Sequence, residues 1–471
     1  MKTAFLVLAA LLALAAPAQA ADSFVVRSGT KLTLSGKPFR FGGANVEWLG
    51  LAGYGPLDPA GPRYAGRYEI DDALATAHEL GATVVRSQTM GDSVGCELCI
   101  EPARGRFNAA AFEEIDYALA SARRHGIRVV PTIVGDDAVR GGSGCVYLGW
   151  RGYDTTGCSL VNMAPFWTDP IVLGDVEEHI RAVLEHVNVY THVAYKDDPT
   201  ILGWDLLNGG GSPLPWTREI IRYLRTIDTR HLVLTAASNA RLDENLACVA
   251  FVYPHWSQPY DTVVAPQVAA CKAAARPFIA YEYGWDQTNY ATAADLRRFL
   301  ERLRGDPEIA GDAFWALQGH ADGHGWMPIP ADTSDPVTAR SGESGHWWAL
   351  YYTGLRTLVN TAADMAARAQ IIRRHAYAMR GLKVPKHAIP PAPAITSTAG
   401  GRIYWRGSAG AARYSIQQAA GAAGPWTTPC RRCASDGDDG WPAPSAGWFR
   451  VIPYNLDGRP GPASAPVSSP S

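Results

Sequence analysis

Runs of apolar, β-branched residues alternate along most of the chain with stretches whose apolar positions recur at helical spacing. Eight such runs read as strands: Phe39 to Asn45, Thr83 to Gln88, Ile127 to Val134, Ile201 to Leu206, His231 to Thr235, Cys248 to Tyr253, Phe278 to Glu282 and Ala313 to Leu317. They are nearly continuous in apolar residues, as in Val129-Val130-Pro131-Thr132-Ile133-Val134, which suits parallel strands covered on both faces. A short strand pair, Ser23 to Val26 and Lys31 to Leu34, precedes them. The helices between are chemically marked: Asn108 can cap one that ends at Gly126, Gly81 closes one that begins near Tyr68, and Thr168-Asp169-Pro170 opens another. Eight strand-helix units over roughly 350 residues predict an α/β fold, a (β/α)8 TIM barrel, with an open doubly wound sheet as the alternative. Gly209-Gly210-Gly211 follows a strand but lacks the G-x-G-x-x-G spacing of a dinucleotide site.

Beyond a last helix ending near Met379, the composition shifts at Val384-Pro385 and Ile389-Pro390-Pro391-Ala392-Pro393, a stiff extended linker over 384–394. Residues 395–471 carry short strand candidates, Arg402 to Trp405, Arg413 to Gln418 and Trp448 to Pro453, between glycine, proline and aspartate turns, and predict a small all-β sandwich. At the other end, Lys2, the apolar stretch Ala4 to Ala16 and Ala18-Gln19-Ala20 form a secretory signal, residues 1–20, cleaved after Ala20. The barrel is then expected over 21–383, in a secreted or periplasmic protein.

A formal net charge of -2 gives no support to nucleic-acid binding or electrostatic membrane docking. No later segment offers about 20 uncharged apolar residues, so membrane insertion is not expected and a soluble monomer is. The eight cysteines fall into local pairs, Cys96 with Cys99, Cys145 with Cys158, Cys248 with Cys271 and Cys430 with Cys433, which in an exported protein predict disulfides. A zinc site built from the two C-x-x-C units is the competing reading.

In a barrel of this kind the chemistry sits at the C-terminal ends of the strands. Those ends carry Asn45 and Trp48, Arg86 and Gln88, Asp136 and Asp137, Asn208, His255 and Trp256, Glu282 and Trp285, and Trp315. A carboxylate among amides, a guanidinium and tryptophans suits a sugar, whose apolar ring faces stack on indoles while its hydroxyls take hydrogen bonds. Each residue also has a plainer reading, Arg86 as a buried ion-pair partner and the tryptophans as packing. His320, Asp322 and His324 resemble a metal tract, but a loop lining the substrate cleft, with His324 on the ligand, is the preferred reading.

Asp198-Pro199-Thr200-Ile201-Leu202-Gly203-Trp204-Asp205-x-x-Asn208, Tyr190-Thr191-x-Val193-Ala194-Tyr195-Lys196-Asp197-Asp198, Tyr281-Glu282-Tyr283-Gly284-Trp285 and Phe314-Trp315 resemble endo-β-1,4-mannanases of glycoside hydrolase family 5. Trp405-Arg406-Gly407-Ser408-Ala409-Gly410-Ala411 looks, more weakly, like an appended fibronectin type III-like module. The resemblance implies hydrolysis of β-1,4-mannosidic links with retention, on β-mannan or a related polysaccharide or oligosaccharide and with no cofactor or metal. It implies Glu282 as nucleophile, Arg86 as its ionic support, Asn208 on the sugar 2-hydroxyl, and His255 and Trp315 at the reacting sugar; Trp48, Trp256, Trp285 and His324 complete the expected substrate contacts.

Two positions depart from the family pattern. Gly209 stands where the acid/base glutamate follows the asparagine, and Ser257 falls where a tyrosine would contact the nucleophile. A barrel neighbour could replace the missing acid: Asp136, or Asp137 beside it, is the candidate surrogate. Asp205 is discounted, because strand alternation sets it opposite Trp204, Leu206 and Asn208 and so toward the surrounding helices. A carbohydrate-binding protein that keeps the cleft without turnover is the alternative to a hydrolase.

Overall fold

The computed structural model describes residues 23–53, 62–135, 144–158, 163–208, 211–252, 260–327, 348–355, 357, 359–436, 440–443 and 445–469. The expected export signal lies outside them, as do Asp136, Asp137, Gly209, His255, Trp256 and Ser257.

Strands β1 (Val25–Ser28), β2 (Lys31–Leu34) and β3 (Lys37–Pro38) form a small antiparallel sheet. Eight strands follow: β4 (Phe41–Asn45), β5 (Val84–Ser87), β6 (Arg128–Pro131), β7 (Gly203–Asp205), β8 (Leu232–Thr235), β9 (Leu246–Val252), β10 (Phe278–Tyr283) and β11 (Ile309–Phe314). They pair in parallel, β4 with both β5 and β11, and the ring closes between β6 and β7 through the bridges Val129–Ile201 and Thr132–Asp205. This is the (β/α)8 barrel, and the open-sheet alternative falls.

Helices α1 (Arg67–Glu79), α2 (Ala109–Arg124), α3 (Pro170–Glu185), α4 (Leu214–Arg225), α5 (Tyr260–Ala273), α6 (Ala293–Gly305) and α7 (Ala362–Met379) cover the barrel. Their ends follow the side-chain signals. Asn108 accepts from the Ala110 amide at 3.0 Å, Asp169 from Ile171 at 2.7 Å, and Gly81, at φ +83°, closes α1. One unit departs from the expected repeat: β8 and β9 are joined by a single 3-10 turn, Ala237–Asn239, in place of a full helix. The last barrel strand also begins earlier than the apolar pattern indicates, because Gly311 and Asp312 interrupt it. Asp312 is buried there and its Oδ2 meets His375 Nε2 of α7 at 2.7 Å.

Two apolar layers result. Phe41, Val84, Val130, Leu202, Leu232, Val249 and Ile279 pack in one cluster with Val25 and Leu32 of the N-terminal sheet. A larger layer, including Trp204, Leu206, Val233 and the inner faces of the helices, lies between strands and helices. All four cysteine pairs are disulfides, so neither C-x-x-C unit offers thiolates to zinc.

Beyond the barrel, β12 (Leu317–Gln318) and β13 (Leu350–Tyr351) pair in parallel, and the C-terminal region is two antiparallel sheets around a common core. One contains β14 (Ala394–Ser397), β15 (Arg402–Arg406) and β18 (Trp441–Pro442); the other contains β17 (Thr427–Ala434), β16 (Arg413–Ala419), β19 (Gly447–Tyr454) and β20 (Val467–Ser469). Ile403 and Trp405 from the first meet Tyr414, Ile416, Phe449 and Val451 from the second. The proline-rich segment before them does not act as a free spacer. His387 Nδ1 meets Glu79 of α1 at 2.6 Å, Arg373 of α7 donates to the Pro385 carbonyl, and Asn455 of the sandwich donates to the His387 and Ala388 carbonyls.

Candidate active site

The barrel's C-terminal mouth is organised by one guanidinium. Arg86, on β5, is 1% exposed, and its Cζ lies 4.3 Å from the Tyr281 ring centroid. Its Nη1 donates to Glu282 Oε2 at 2.9 Å and to Asn45 Oδ1 at 3.1 Å. Nε and Nη2 donate to Asp205 Oδ2 at 3.0 and 2.9 Å, and Nη2 also donates to Asn208 Oδ1. One side chain thus joins β4, β5, β10, β7 and the segment just beyond β7. Burial alone would lower the guanidinium's pKa; Asp205, Tyr281 and Glu282 outweigh it and raise it above the ordinary arginine range.

Two irregularities in the strands make this cluster possible. In β10 the register to its neighbours shifts around Ala280 to Glu282, so Tyr281 packs with the apolar cluster inside the barrel while the next residue, Glu282, still reaches Arg86. Along β7 the alternation runs opposite to the sequence expectation. Trp204 and Leu206 lie in the layer toward the helices, with Trp204 Nε1 donating to Asp228 Oδ2 at 2.7 Å, whereas Asp205 points inward onto Arg86 and Thr132. The indole needs both an apolar layer and a buried acceptor, and only the helix side supplies both. Asp205 is therefore part of the site's foundation, on the face opposite to the one that strict alternation predicts.

Asp205 and Glu282 are not equivalent carboxylates. Asp205 is fully buried beneath Arg86, and burial pushes its pKa upward against the opposing contacts of Arg86 and Thr132. Glu282 keeps 9% of its side chain exposed, so of the two it is the one that can meet a ligand. Asn208, 7% exposed, stands beside it through the shared contact with Arg86. Asn45 completes the frame, its amide nitrogen donating to the Tyr281 and Phe314 carbonyls at 3.0 and 3.1 Å. Its place at a strand end marked it in the sequence, but without a role.

The described tryptophans at the mouth are packed groups. Trp285 is fully buried with Nε1 on the Trp348 carbonyl at 2.7 Å, Trp315 is 3% exposed with its ring 5.3 Å from that of Trp348, and Trp48 is 5% exposed. The loop after β11 does not serve the cleft as expected. His320 is buried between Asp72 of α1, at 2.9 Å, and Asp436 of the sandwich, at 3.4 Å, while His324 lies 4.8 Å from the Tyr404 ring and Asp322 pairs with Arg406. These partners belong to the seam between barrel and sandwich, where opposite charges and a tilted aromatic contact accommodate the tract, so His324 is a seam residue. Among the described residues, no group of three or more His, Cys, Asp or Glu side chains is placed to hold a metal ion.

Residues 22–265 match a family described as GH family 5 beta-mannosidase-like; Glu282 and Trp315 lie beyond that span. The chain is similar to mannan endo-1,4-beta-mannosidase 3 of Arabidopsis thaliana, 33% identical over 222 residues, covering 45% of this chain and 50% of the relative. It is also similar to mannan endo-1,4-beta-mannosidase 1 of rice, Oryza sativa subsp. japonica, 31% identical over 218 residues and covering 45% and 48%. The chain thus spans about half the length of these plant relatives. Among solved structures, the endo-1,4-beta-mannanase of Rhizomucor miehei superposes with TM-score 0.56 at 22% identity, over 76% of this chain and all of that one. The endo-beta-1,4-mannanase of Thermotoga petrophila superposes with TM-score 0.56 at 17% identity, over 91% and 98%, and at these identities the likeness establishes the fold.

Proposed function

Because the chain belongs to the β-mannosidase-like group of glycoside hydrolase family 5, we propose that it is an exported retaining glycoside hydrolase acting on β-mannan or a related glycan, with a weakened proton-transfer step. The observation that carries this reading is the contact of Arg86 with Glu282 at the barrel mouth. A cation at 2.9 Å favours the ionised carboxylate, the form that attacks an anomeric carbon. Attack forms a C–O bond to Glu282 as the glycosidic C–O bond breaks; water later releases the sugar, and Asn208 holds the 2-hydroxyl of the same ring. The four disulfides suit an oxidising compartment, in keeping with a signal cleaved after Ala20.

The departing oxygen needs a proton, and the acid in a retaining enzyme stands about 5 Å from the nucleophile. Gly209 in the acid's sequence place has no side chain to give one. Loss of general acid and base help costs about 10² to 10⁴ in rate, roughly 3 to 5 kcal/mol of barrier. Asp205 cannot substitute, since it is buried under Arg86; Asp136 is the proposed surrogate. The same glycine favours a second reading, a sugar-binding protein that has lost turnover.

An activated aryl β-mannoside, whose leaving group needs no proton, separates the readings when assayed with and without azide. Release accelerated by azide, with β-mannosyl azide as product, is the expected result. No release in either case, with mannan still retarding the protein in affinity electrophoresis, selects the binding protein. Neither release nor retardation overturns both.

A further inference from the structure

The sandwich presents a second candidate binding surface, independent of Glu282. Its three-stranded sheet faces the barrel: Tyr404 and Arg406 of β15 meet His324, Asp322 and Tyr68, while Ile403 and Trp405 of the same strand enter the sandwich core. The four-stranded sheet buries Tyr414, Ile416, Phe449 and Val451 on its inner side. By alternation its outer side carries Trp448, Arg450 and Tyr454 of β19, with Gln417 of β16 registered opposite Arg450.

The arginines on this side are held in position and, among the described residues, have no carboxylate partner. Arg450 lies over the Trp426 ring, 4.3 Å from its centroid, and its Nε donates to Gln417 Oε1 at 2.7 Å. Gln417 is itself fixed by donating to Thr428 Oγ1 at 3.1 Å. The two terminal nitrogens of Arg450 have no protein partner among the described residues. Arg432 lies 4.5 Å from the Tyr454 ring centroid, with Nη2 on the Gly458 carbonyl. Neither arginine pairs with a carboxylate among the described residues. Residues 395–471 hold seven arginines, four aspartates and no lysine or glutamate, against a net charge of -2 for the whole chain.

A guanidinium clamped on a ring, with one edge open, is built to take a planar anion through two parallel hydrogen bonds. The half-buried indole of Trp448, two positions along the strand, keeps part of its surface open to a pyranose ring. We propose that this face binds an acidic polysaccharide, engaging uronate carboxylates through Arg450 and Arg432 and a sugar ring on Trp448. Charge complementarity selects this occupant over neutral mannan, which has nothing to pair with the two cations.

The test is affinity electrophoresis of the full mature chain in gels containing polygalacturonate, konjac glucomannan or dextran sulfate, with the double variant Arg432→Gln/Arg450→Gln and with Trp448→Ala. Polygalacturonate is expected to retard the wild type, with the apparent dissociation constant rising about tenfold in the double variant and also in Trp448→Ala, at unchanged melting temperature. Retardation by glucomannan is expected to be the same in all three proteins. Absence of retardation by polygalacturonate, or equal retardation of wild type and double variant, overturns the proposal. So does dextran sulfate binding that matches polygalacturonate and ignores Trp448, which marks a generic polyanion surface. Failure here leaves the reading of Glu282 untouched, because that reading is assayed on the mannoside.

Discussion

Replacing Arg86 by methionine removes the cation from beneath two carboxylates while keeping an unbranched apolar stem over Tyr281. Asp205 is fully buried and Glu282 nearly so, and both lose their ion-pair partner together, as do the amide oxygens of Asn45 and Asn208. Breaking a buried pair from one side costs about 3 to 5 kcal/mol. Spread over the unfolding entropy of a barrel of roughly 360 residues, near 0.75 kcal/mol per degree, that is a drop of about 4 to 7 °C. The loss also acquires a pH dependence whose sign follows from Asp205. Its pKa is already raised by burial, and removing Arg86 raises it further. A carboxyl whose folded pKa lies above its unfolded one contributes most at low pH, and that contribution is lost as pH rises through the folded value. The deficit of Arg86→Met therefore grows as pH rises above the range in which an ordinary carboxyl titrates, and is read by thermal unfolding of both proteins across a pH series. A deficit below about 1 kcal/mol, the value of an exposed pair, refutes the account of a buried double ion pair; a deficit that shrinks as pH rises refutes the electrostatic reasoning.

Three further outcomes are expected. Gly209→Glu restores a side chain at the acid position and raises mannan hydrolysis by about 10²-fold or more, measured as reducing ends; no gain means the cleft has diverged beyond that residue. Asp136→Asn abolishes residual hydrolysis if that residue has taken over proton transfer, whereas activity surviving in both Asp136→Asn and Asp137→Asn removes the pair from the mechanism. At the seam, burial pulls the pKa of His320 down, but Asp72 and Asp436 outweigh it and hold it at about 10. With the folded value above the unfolded one, the seam's stabilisation is present below about pH 6.5 and lost as pH rises toward 10. His320→Gln should flatten that dependence, measured as proteolytic cleavage of the 384–394 segment against pH, and an unchanged profile would show that the histidine does not carry the seam.

The barrel was legible because its strands are apolar on both faces and its helix ends carry local signals such as Asn108, Asp169 and Gly81. What escaped were places where a polar group occupies a strand for tertiary reasons. Asp312 breaks the apolar run of β11 because it serves His375, sixty-three positions away. Asp205 turned inward because Trp204 needs Asp228, and strict alternation cannot register that demand. Arg86 and Glu282 could be named from sequence, but a single guanidinium joining five segments of the mouth is a property of barrel closure. The His320 tract failed differently: its partner Asp436 lies in another part of the chain, and nothing local distinguishes a seam loop from a cleft loop.

The central claim is that Glu282, held by Arg86, remains a working nucleophile although the acid position is empty of side-chain chemistry. Incubation with an activated 2-deoxy-2-fluoro-β-mannoside, followed by intact-mass and peptide mass spectrometry, tests it most directly. The fluorine slows release, and the leaving group departs without a proton, so only the nucleophile is interrogated. One sugar attached at Glu282, absent in Glu282→Gln, is the predicted result; no adduct, or an adduct on another residue, contradicts the claim.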